Sequence, residues 1–547
     1  MADIPGISRL STRRRLENAR LRLQREWRIY NLNQQVAKNA GPIAGQQPVV
    51  MFNASTRLGG FSQNAAFALL TAWSLQLAGV PVVHFACNAG MSLCVLGTNP
   101  DDATAAPPCQ SCIAQSKKVF SSAPVQWFKY QRNEHLSKAL KDLNIAELID
   151  FQYTLPDSQI AIPLGTLTLP ALRWALRMHH IADDQPTRYL YRQYIQSAYS
   201  VAVAFDAFLD QVNPAQVVVF NGIMFPEATA RWIAKQRALR VITHEVGFQP
   251  FSIFFTDQQA TAYPIHIPED FDLSPEQNAR LDVHLSQRLK GEFTMAGIRF
   301  WPEISGLSEA FLARAAQFKN VVPVFTNVVF DTSQVHANTL FPQMFAWLDQ
   351  TLGLIQAHPE TLFVIRAHPD EKRAFKVSRE SVSDWVSRNQ VAALPNVIFV
   401  DSHEPLSSYD LIQRSKFIMV YNSSIGLEGT LLGIPVLCGG QARYSRYATV
   451  FFPETAESYV KMAEEFLCAE KIDIPTEFVI NARKFLYYQF FKVSLSFEQF
   501  LEAHPTPGYV QLKRFSWQDL LVENSPVTQT LVNGILQADP FLLPENE

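Results

Sequence analysis

The sequence predicts an α/β protein with two Rossmann-like domains that face each other across a cleft, preceded by an N-terminal helix. Strand-like apolar runs alternate with helical periodicity in both halves of the chain, and several runs end in polar residues. The length agrees, because 547 residues exceed one ordinary domain. We expect a basic helix at residues 1–40, domains at 41–300 and 301–490, and a tail at 491–547, for which packing against the first domain is one arrangement.

The composition excludes several classes of protein. Hydrophobic residues make up 48%, charged residues 18%, and the net charge is -3, so no basic field indicates a nucleic-acid partner. No apolar run is long enough to span a bilayer, and the arginine-rich N-terminus lacks the apolar core of a secretory signal. Six cysteines in so long a chain do not indicate a disulfide scaffold, and we expect a cytoplasmic setting.

The first predicted element is a helix over residues 11–35. Its large apolar residues recur at helical spacing: Leu16, Leu23, Trp27 and Tyr30. Its charge comes from arginines: Arg13, Arg14, Arg15, Arg20, Arg22, Arg25 and Arg28. One interpretation is an amphipathic helix that touches an anionic membrane surface, at the inner face of the cell membrane, or a partner helix. The other is a solvated helix with one stripe packed on the body.

A strand, a helix and a second strand follow at residues 48–53, 64–78 and 81–85, as at the start of a Rossmann-like domain. The first strand leads to Gly59 and Gly60, which either let the backbone approach a sugar or phosphate or simply make the turn. This turn lacks a G-x-G-x-x-G motif, so dinucleotide binding has weak support.

Four cysteines come within 26 residues after the second strand: Cys87, Cys94, Cys109 and Cys112. Four thiolates could hold a structural zinc ion, and the last two have the Cys-x-x-Cys spacing of a zinc knuckle. The first two, with six intervening residues, do not have that spacing. Buried thiols that bind no metal are the alternative, and the sequence does not choose between them.

The first domain continues with helical patterns over residues 120–200 and strand patterns at 217–220 and 240–243. The last strand ends at His244 and Glu245, where the ligand edge of a parallel sheet is expected. Glu245 is the first candidate, and His244 the second, for a base that removes a proton from an acceptor hydroxyl. An ion pair or a cap within a loop is the structural alternative.

A second α/β unit has strand patterns at residues 321–325, 362–365, 397–400, 417–420 and 436–437. Arg366 and His368 follow the second of these strands. Ser423 and Ser424 follow the fourth, and Glu428 lies one turn into the next predicted helix. Because the carboxyl ends of parallel strands meet at one edge of a sheet, we expect these side chains to line one crevice.

These side chains suit the phosphate and ribose of a nucleotide. Breaking the anomeric bond of a nucleotide sugar leaves negative charge on a phosphate, which fixed donors stabilise. His368 and Arg366 can donate to that phosphate, and the helix start at Ser423 and Ser424 offers hydroxyls and N–H groups. Glu428 can accept from ribose hydroxyls. No D-x-D sequence ends a strand here, so we expect neither a catalytic metal nor a cofactor. A structural histidine and a simple helix cap are the alternatives.

Five stretches resemble the capsule polysaccharide biosynthesis proteins, a group of bacterial glycosyltransferases with the two-domain GT-B architecture: residues 325–331, 364–369, 407–411, 420–428 and 433–436. The likeness extends more loosely to residues 210–250. Related transferases that use CMP-activated Kdo or sialic acid carry a similar His-Pro and a similar serine pair, which hold the donor phosphate. The resemblance implies donor binding by His368, Ser423 and Ser424. Asn327, in the first stretch, is a further donor-binding candidate.

We therefore expect a glycosyltransferase that moves a sugar from a nucleotide-sugar donor to a surface (capsular-type) polysaccharide or a lipid-linked glycan, with Glu245 and His368 as catalytic residues. A nucleotide-sugar epimerase of the same fold and a non-catalytic glycan-binding or assembly protein are the alternatives. The sequence leaves open the donor base and sugar, the acceptor, the stereochemical outcome and the oligomeric state.

Overall fold

A computed structural model describes residues 12–41, 43, 45–54, 61–156, 160–289, 306–373, 376–505 and 508–545. The side chains of residues 12–19, 21, 22, 288 and 289 lie outside this description. Two sets of residues singled out in the sequence therefore fall outside it: Gly59 and Gly60 entirely, and the side chains of Leu16, Arg13, Arg14, Arg15 and Arg22.

The N-terminal half of the chain supplies the elements of the first domain. Its strands are β1 (Val49–Asn53), β2 (Val82–Cys87), β3 (Val125–Phe128), β4 (Tyr153–Thr154), β5 (Ala161–Ile162), β6 (Gln216–Phe220), β7 (Arg240–Val246) and β8 (Ser252–Thr256). Its helices are α1 (Thr12–Asn39), α2 (Gln63–Leu77), α3 (Cys109–Val119), α4 (Glu134–Ala139), α5 (Ile145–Ile149), α6 (Leu164–Leu176), α7 (Gln185–Val212) and α8 (Glu227–Gln236), and α9 (Pro275–Leu289) leads onward.

The C-terminal half supplies the second domain and a returning segment. The strands are β9 (Asn320–Phe325), β10 (Thr361–Arg366), β11 (Val397–Val400), β12 (Ile418–Val420), β13 (Val436–Cys438), β14 (Leu495–Ser496), β15 (Leu501–Ala503) and β16 (Val510–Leu512). The helices are α10 (Glu309–Ala315), α11 (Gln334–Ala337), α12 (Met344–Ala357), α13 (Val382–Arg388), α14 (Ser408–Gln413), α15 (Ile425–Leu431), α16 (Ala456–Cys468), α17 (Thr476–Tyr487) and α18 (Pro526–Gln537).

Five parallel strands form the centre of the first sheet, in the order β3-β2-β1-β6-β7, and β8 and β14 extend it with antiparallel pairing. Successive residues of β1 point to opposite faces of the sheet. Val50 and Phe52 pack toward α6, α7 and α8, whereas Val49 and Met51 pack toward α1, α2 and α18. Helices therefore cover both faces, as the crossovers between parallel strands require.

The second sheet consists of five parallel strands in the order β11-β10-β9-β12-β13. Leu362 and Val364 of β10 pack toward α10, α14, α15 and α17, and Phe363 and Ile365 pack toward α12, α13 and α16. Trp347 is fully buried on the second of these faces, where its indole N–H donates to the hydroxyl of Tyr459 at 2.7 Å. The predicted α/β fold with two Rossmann-like domains is confirmed.

The C-terminal segment returns to the first domain. β14 pairs with β8, and α18 packs over α2. Arg240 of β7 donates to the carbonyl oxygens of Gly534 and Ile535, at 2.9 and 2.7 Å, and so ties the last turns of α18 to the first sheet. The residues after 490 thus supply part of the first domain's sheet and core.

Helix α1 packs through a different stripe from the one that the largest apolar side chains predict. Ile29, Leu32 and Val36 are buried against the first domain. Leu23 and Trp27 are 66% and 65% exposed. The basic helix therefore carries an apolar surface that the described residues do not cover. None of the described helices combines the length and apolar character that crossing a membrane requires.

Candidate functional site

The site forms where the second sheet changes winding direction. β9 and β12 are neighbours, and the chain leaves them toward opposite edges of the sheet, so a crevice opens beyond their carboxyl ends. Asn327 follows β9, and its side-chain oxygen accepts the backbone N–H of Asn422, which follows β12, at 3.2 Å. This hydrogen bond joins the two sides of the crevice and fixes Asn327 at its base.

His368 stands beside the crevice as a neutral hydrogen-bond donor. Its Nδ1 accepts the backbone N–H of Asp370 at 3.1 Å. In the neutral imidazole the proton therefore resides on Nε2, which becomes the donor. Burial lowers the pKa of His368, the carboxylates of Asp370 and Asp331 act in the opposite direction, and Arg366 lowers it further.

Arg366, the last residue of β10, has a buried guanidinium. Among the described residues its Nη1 has no hydrogen-bond partner. Burial lowers the pKa of Arg366, and the carboxylate of Glu404 opposes that effect. A buried guanidinium N–H group without a hydrogen-bond partner is costly, so this side chain favours an anionic ligand. β10 ends before His368, which caps the 3-10 turn Pro369–Lys372, so strand alternation does not by itself align His368 with Arg366.

Ser423 and Ser424 begin α15, as predicted, but neither side chain is used as a strong cap. Ser424 makes no capping hydrogen bond, and the hydroxyl of Ser423 accepts the N–H of Ile425 only at 3.5 Å. A Cβ on Gly426 would lie 2.4 Å from the hydroxyl oxygen of Tyr444, and one on Gly429 would lie 2.6 Å from Cδ1 of Ile418. Gly426 and Gly429 therefore let α15 approach β12 and its neighbours closely. The hydroxyls of the two serines do not make strong capping hydrogen bonds to the helix.

Glu428 is buried one turn into α15, where the hydroxyl of Tyr409 donates to its Oε2 at 2.7 Å. Tyr409 belongs to α14, in the stretch 407–411 that carries the family resemblance. The contact holds the carboxylate in one orientation beside the crevice. A ribose hydroxyl that donates to Glu428 would therefore share its carboxylate with the hydroxyl of Tyr409.

Glu245 lies near the carboxyl end of β7 on the opposite domain. Its Oε2 accepts from the amide Nδ2 of Asn221 at 2.7 Å, and its Oε1 accepts the N–H of Val246 at 2.9 Å. Asn221 has a left-handed backbone with φ of 62°, and its own Oδ1 accepts the N–H of Ile223 at 3.1 Å. Glu245 is therefore a fixed carboxylate at the edge of the first sheet.

His244, the other candidate base, is 3% exposed. Its ring lies between those of Phe220 and Phe255, with centroid distances of 5.6 and 5.5 Å. Adjacent strand residues point to opposite faces, so only one of His244 and Glu245 can face a given side of the sheet. This packing favours Glu245 as the group that meets a substrate.

The carboxyl edges of the two sheets face each other. Arg443, which follows β13, lies 4.5 Å from the ring of Phe248, which follows β7. The hydroxyl of Thr261 in the first domain lies 2.8 Å from Nε2 of His336 in the second. A second contact joins the domains farther along, where Glu380 accepts the backbone N–H of His179 at 2.8 Å.

Carboxylates from both domains act on one tyrosine of the first domain, Tyr263. Burial raises the pKa of Tyr263 well above its usual value, and the neighbouring carboxylates of Glu245 and Asp331 add to the effect. Asp331 also acts on the pKa of His368. Asp331 ends the matching stretch 325–331, whereas no pattern in the sequence marks Tyr263, which was not predicted.

Comparison with known proteins supports the resemblance found in the sequence. Residues 307–448 match the model of the capsule polysaccharide biosynthesis protein family. This range contains β9 to β13 and all the donor-side candidates. The resemblance to this family that the sequence showed is therefore confirmed over residues 307–448.

Solved structures of two kinds are similar to the chain. The beta Kdo 2,4 transferase KpsC of Thermosulfurimonas dismutans is 12% identical, with a TM-score of 0.34 over 55% of this chain and 84% of that one. The beta Kdo 2,7 transferase of the same organism is 13% identical, with a TM-score of 0.31 over 58% and 86%. UDP-GlcNAc 2-epimerase of Neisseria meningitidis is 12% identical, with a TM-score of 0.24 over 81% and 99%. No curated protein sequence matches the chain.

Glu371 gives a prediction about the support of this site. It is 1% exposed in the turn after His368, its Oε1 accepts the N–H of Val382 at 3.2 Å, and burial raises its pKa to about 8. Because folding raises the pKa of this carboxyl, the folded state binds its proton more tightly than the unfolded state does. The carboxyl's contribution to the stability of the fold is complete below its unfolded pKa of 4.5 and is lost as the pH rises to about 8. Glu371→Gln should therefore become more stable than the wild type over that range, by roughly 3–5 kcal/mol at its upper end.

Urea unfolding at pH 5 and pH 8.5 measures this difference. Glu498→Gln, at an exposed position, is the matched control. An advantage of Glu371→Gln that is the same at both pH values would contradict the assignment.

Proposed function

We propose that the protein is a glycosyltransferase that moves a sugar from a nucleotide-sugar donor to a surface (capsular-type) polysaccharide or a lipid-linked glycan. The observation that carries the proposal is that a neutral imidazole donor lies near a buried guanidinium whose Nη1 has no hydrogen-bond partner among the described residues. His368 and Arg366 occupy the carboxyl end of β10, inside the region that matches the capsule family. A donor diphosphate or monophosphate would satisfy both groups.

The proposed reaction assigns one role to each side of the cleft. The acceptor oxygen forms a bond to the anomeric carbon, and the bond from that carbon to the phosphate oxygen breaks with its electron pair on the phosphate. His368 and Arg366 stabilise the charge that develops there. The acceptor's proton passes to Glu245, which Asn221 and Val246 hold in place. Glu428 and the serines would orient the nucleotide, with no step that requires a metal.

Nucleotide binding tests the donor side. One of CMP, UMP, UDP, GDP and dTDP at a hundred times its dissociation constant should raise the stability of the wild type by about 2.7 kcal/mol, seen as a thermal shift. His368→Ala removes a hydrogen bond to a charged group, so its affinity for that nucleotide should fall by about 10- to 100-fold. His135→Ala, at an exposed position of the first domain, should bind like the wild type.

The pattern of shifts separates the candidate functions. A nucleotide that binds the wild type and His368→Ala equally would refute the phosphate site. If no nucleotide shifts the wild type, the non-catalytic assembly protein becomes the better description.

Glu245→Gln tests the acceptor side. The variant keeps the side-chain shape but cannot take a proton, so turnover of the nucleotide sugar whose nucleotide binds should fall by about 10²–10⁴-fold. Binding of the nucleotide itself should be unchanged, because donor contacts lie on the other domain. The readout is release of free nucleotide, with and without added glycan. Unchanged turnover would exclude Glu245 as the base, and interconversion of the sugar without transfer would indicate an epimerase.

We further propose that α1 contacts an anionic membrane surface, where a lipid-linked acceptor would be found. Its exposed Leu23, Trp27 and Tyr30 lie on a helix rich in arginine, the combination that binds lipid interfaces. The double variant Leu23→Ser/Trp27→Ser should bind phosphatidylserine vesicles at least about tenfold less tightly in co-sedimentation. Ile480→Ser, another exposed apolar residue, is the control. Equal binding by both variants would end this idea.

A further inference from the structure

A cavity at the carboxyl edge of the first sheet brings the four cysteines together. It has a volume of about 30 Å³ and lies where β1 and β2 end and α3 begins. Its wall contains Cys87, Cys94, Cys109 and Cys112, and most of the rest is apolar, including Ala54 and Met91. We call this space the cysteine cavity. Residues that are up to 25 positions apart in sequence thus line one volume.

The four cysteines of this cavity are not arranged around a single ion in the described structure. Four thiolates around zinc bond at about 2.3 Å and so hold their sulfur atoms within about 4 Å of one another. Among the described residues no group of three or more His, Cys, Asp or Glu side chains is placed to hold a single metal ion. The thiols are nevertheless neighbours: burial raises the pKa of Cys94 to about 12, and the other three cysteines each raise it too.

Backbone N–H groups lie beside two of the sulfur atoms. The N–H of Gly90 donates to Sγ of Cys87 at 3.2 Å. The N–H of Gly97 donates to the carbonyl oxygen of Cys94 at 3.1 Å and also lowers the pKa of the Cys94 thiol. Each glycine stands three residues after its cysteine, so the sequence Cys-x-x-Gly occurs twice. N–H groups aimed at thiolate sulfur are a recurrent feature of iron–sulfur sites, where they tune the cluster.

Glycine is required at both of these positions. A Cβ on Gly90 would lie 2.0 Å from Cε2 of Phe128, and one on Gly97 would lie 2.7 Å from Cβ of Pro107. The remaining pair, Cys109 and Cys112, sits on the first turn of α3, whose positive end stabilises thiolates. Each of the four cysteines therefore has either a neighbouring backbone N–H group or a helix N-terminus beside it.

We propose that the four cysteines hold an iron–sulfur cluster of the [4Fe–4S] type in the cysteine cavity. Each thiolate would bind one iron atom, so the sulfur atoms surround a cluster rather than meet at one ion, and the apolar wall would exclude water. The cluster would fix the loop 88–108. Arg379 of the second domain donates to the carbonyl oxygen of Pro100 in this loop at 3.1 Å and pairs with Asp101, so the cluster would also fix a contact between the domains.

Metal analysis of the full-length protein tests the proposal. After anaerobic purification, or reconstitution with ferrous iron and sulfide, the wild type should contain about four iron atoms and about four acid-labile sulfides per chain. It should also show the broad visible absorption of sulfide-to-iron charge transfer. One zinc ion per chain without sulfide would overturn the cluster. Neither metal nor sulfide after reconstitution would identify the cavity as an empty apolar void.

Cysteine variants assign the ligands. Cys109→Ser/Cys112→Ser should lose at least about nine-tenths of the iron and the visible absorption, whereas Cys468→Ser, at an exposed cysteine outside the cavity, should keep both. Iron retained by the double variant would overturn the assignment. The wild-type metal content decides the matter even if the double variant does not fold, because it needs no substitution.

Discussion

The parallel pairing of the central strands is the constraint on which the rest of this molecule depends. Parallel strands need crossovers, the crossovers place helices on both faces, and every strand then ends at the same edge. In the second sheet this brings Asn327, His368 and Ser423 together although almost a hundred residues separate the first from the last. In the first sheet it places Glu245 and Cys87 at the edge that faces them. One topological rule therefore assembles both candidate sites.

Two buried charged side chains of the second domain lie in unfavourable surroundings near the carboxyl edge of its sheet. Arg366 is buried without a hydrogen-bond partner for Nη1 among the described residues, and Glu371 is buried with its pKa raised to about 8. In the core behind them, the indole N–H of Trp347 has a partner in the hydroxyl of Tyr459. Charged groups with unsatisfied atoms or strongly shifted pKa values beside a crevice are typical of a binding site, because a ligand can supply the missing partners.

Much of the fold could be predicted because each strand combines a short apolar run with a polar end. The positions of Arg366, His368, Ser423, Ser424 and Glu428 follow from that pattern alone. The packing stripe of α1 could not be predicted, since the largest apolar residues, Leu23 and Trp27, are not those that meet the body. Packing of residues 491–547 against the first domain was one expected arrangement, but the pairing of β14 with β8 could not be predicted, because a two-residue strand has no periodicity to detect.

The tyrosines that contact the candidate site residues could not be predicted either, because their partners are distant in the sequence. Tyr409, Tyr444 and Tyr263 act through hydroxyls that donate to residues 17 to 21 positions away in the sequence, and nothing in local spacing marks such contacts. The cysteines show the opposite case. Their spacing was visible and left zinc and metal-free thiols open, whereas the proposal of a larger group depends on the cavity and the two Cys-x-x-Gly turns.

The two domains contact each other through the loop 88–108, which lies between Cys87 and Cys109. Residue 379, whose guanidinium binds Pro100 and Asp101 of that loop, also donates its backbone N–H to the carbonyl of Arg177 at 2.9 Å. The preceding residue, Ser378, donates its N–H to the carbonyl of Glu371. Glu371 in turn belongs to the turn that His368 caps. A short chain of hydrogen bonds and neighbouring residues thus runs from the loop 88–108 of the first domain to the turn that His368 caps in the second.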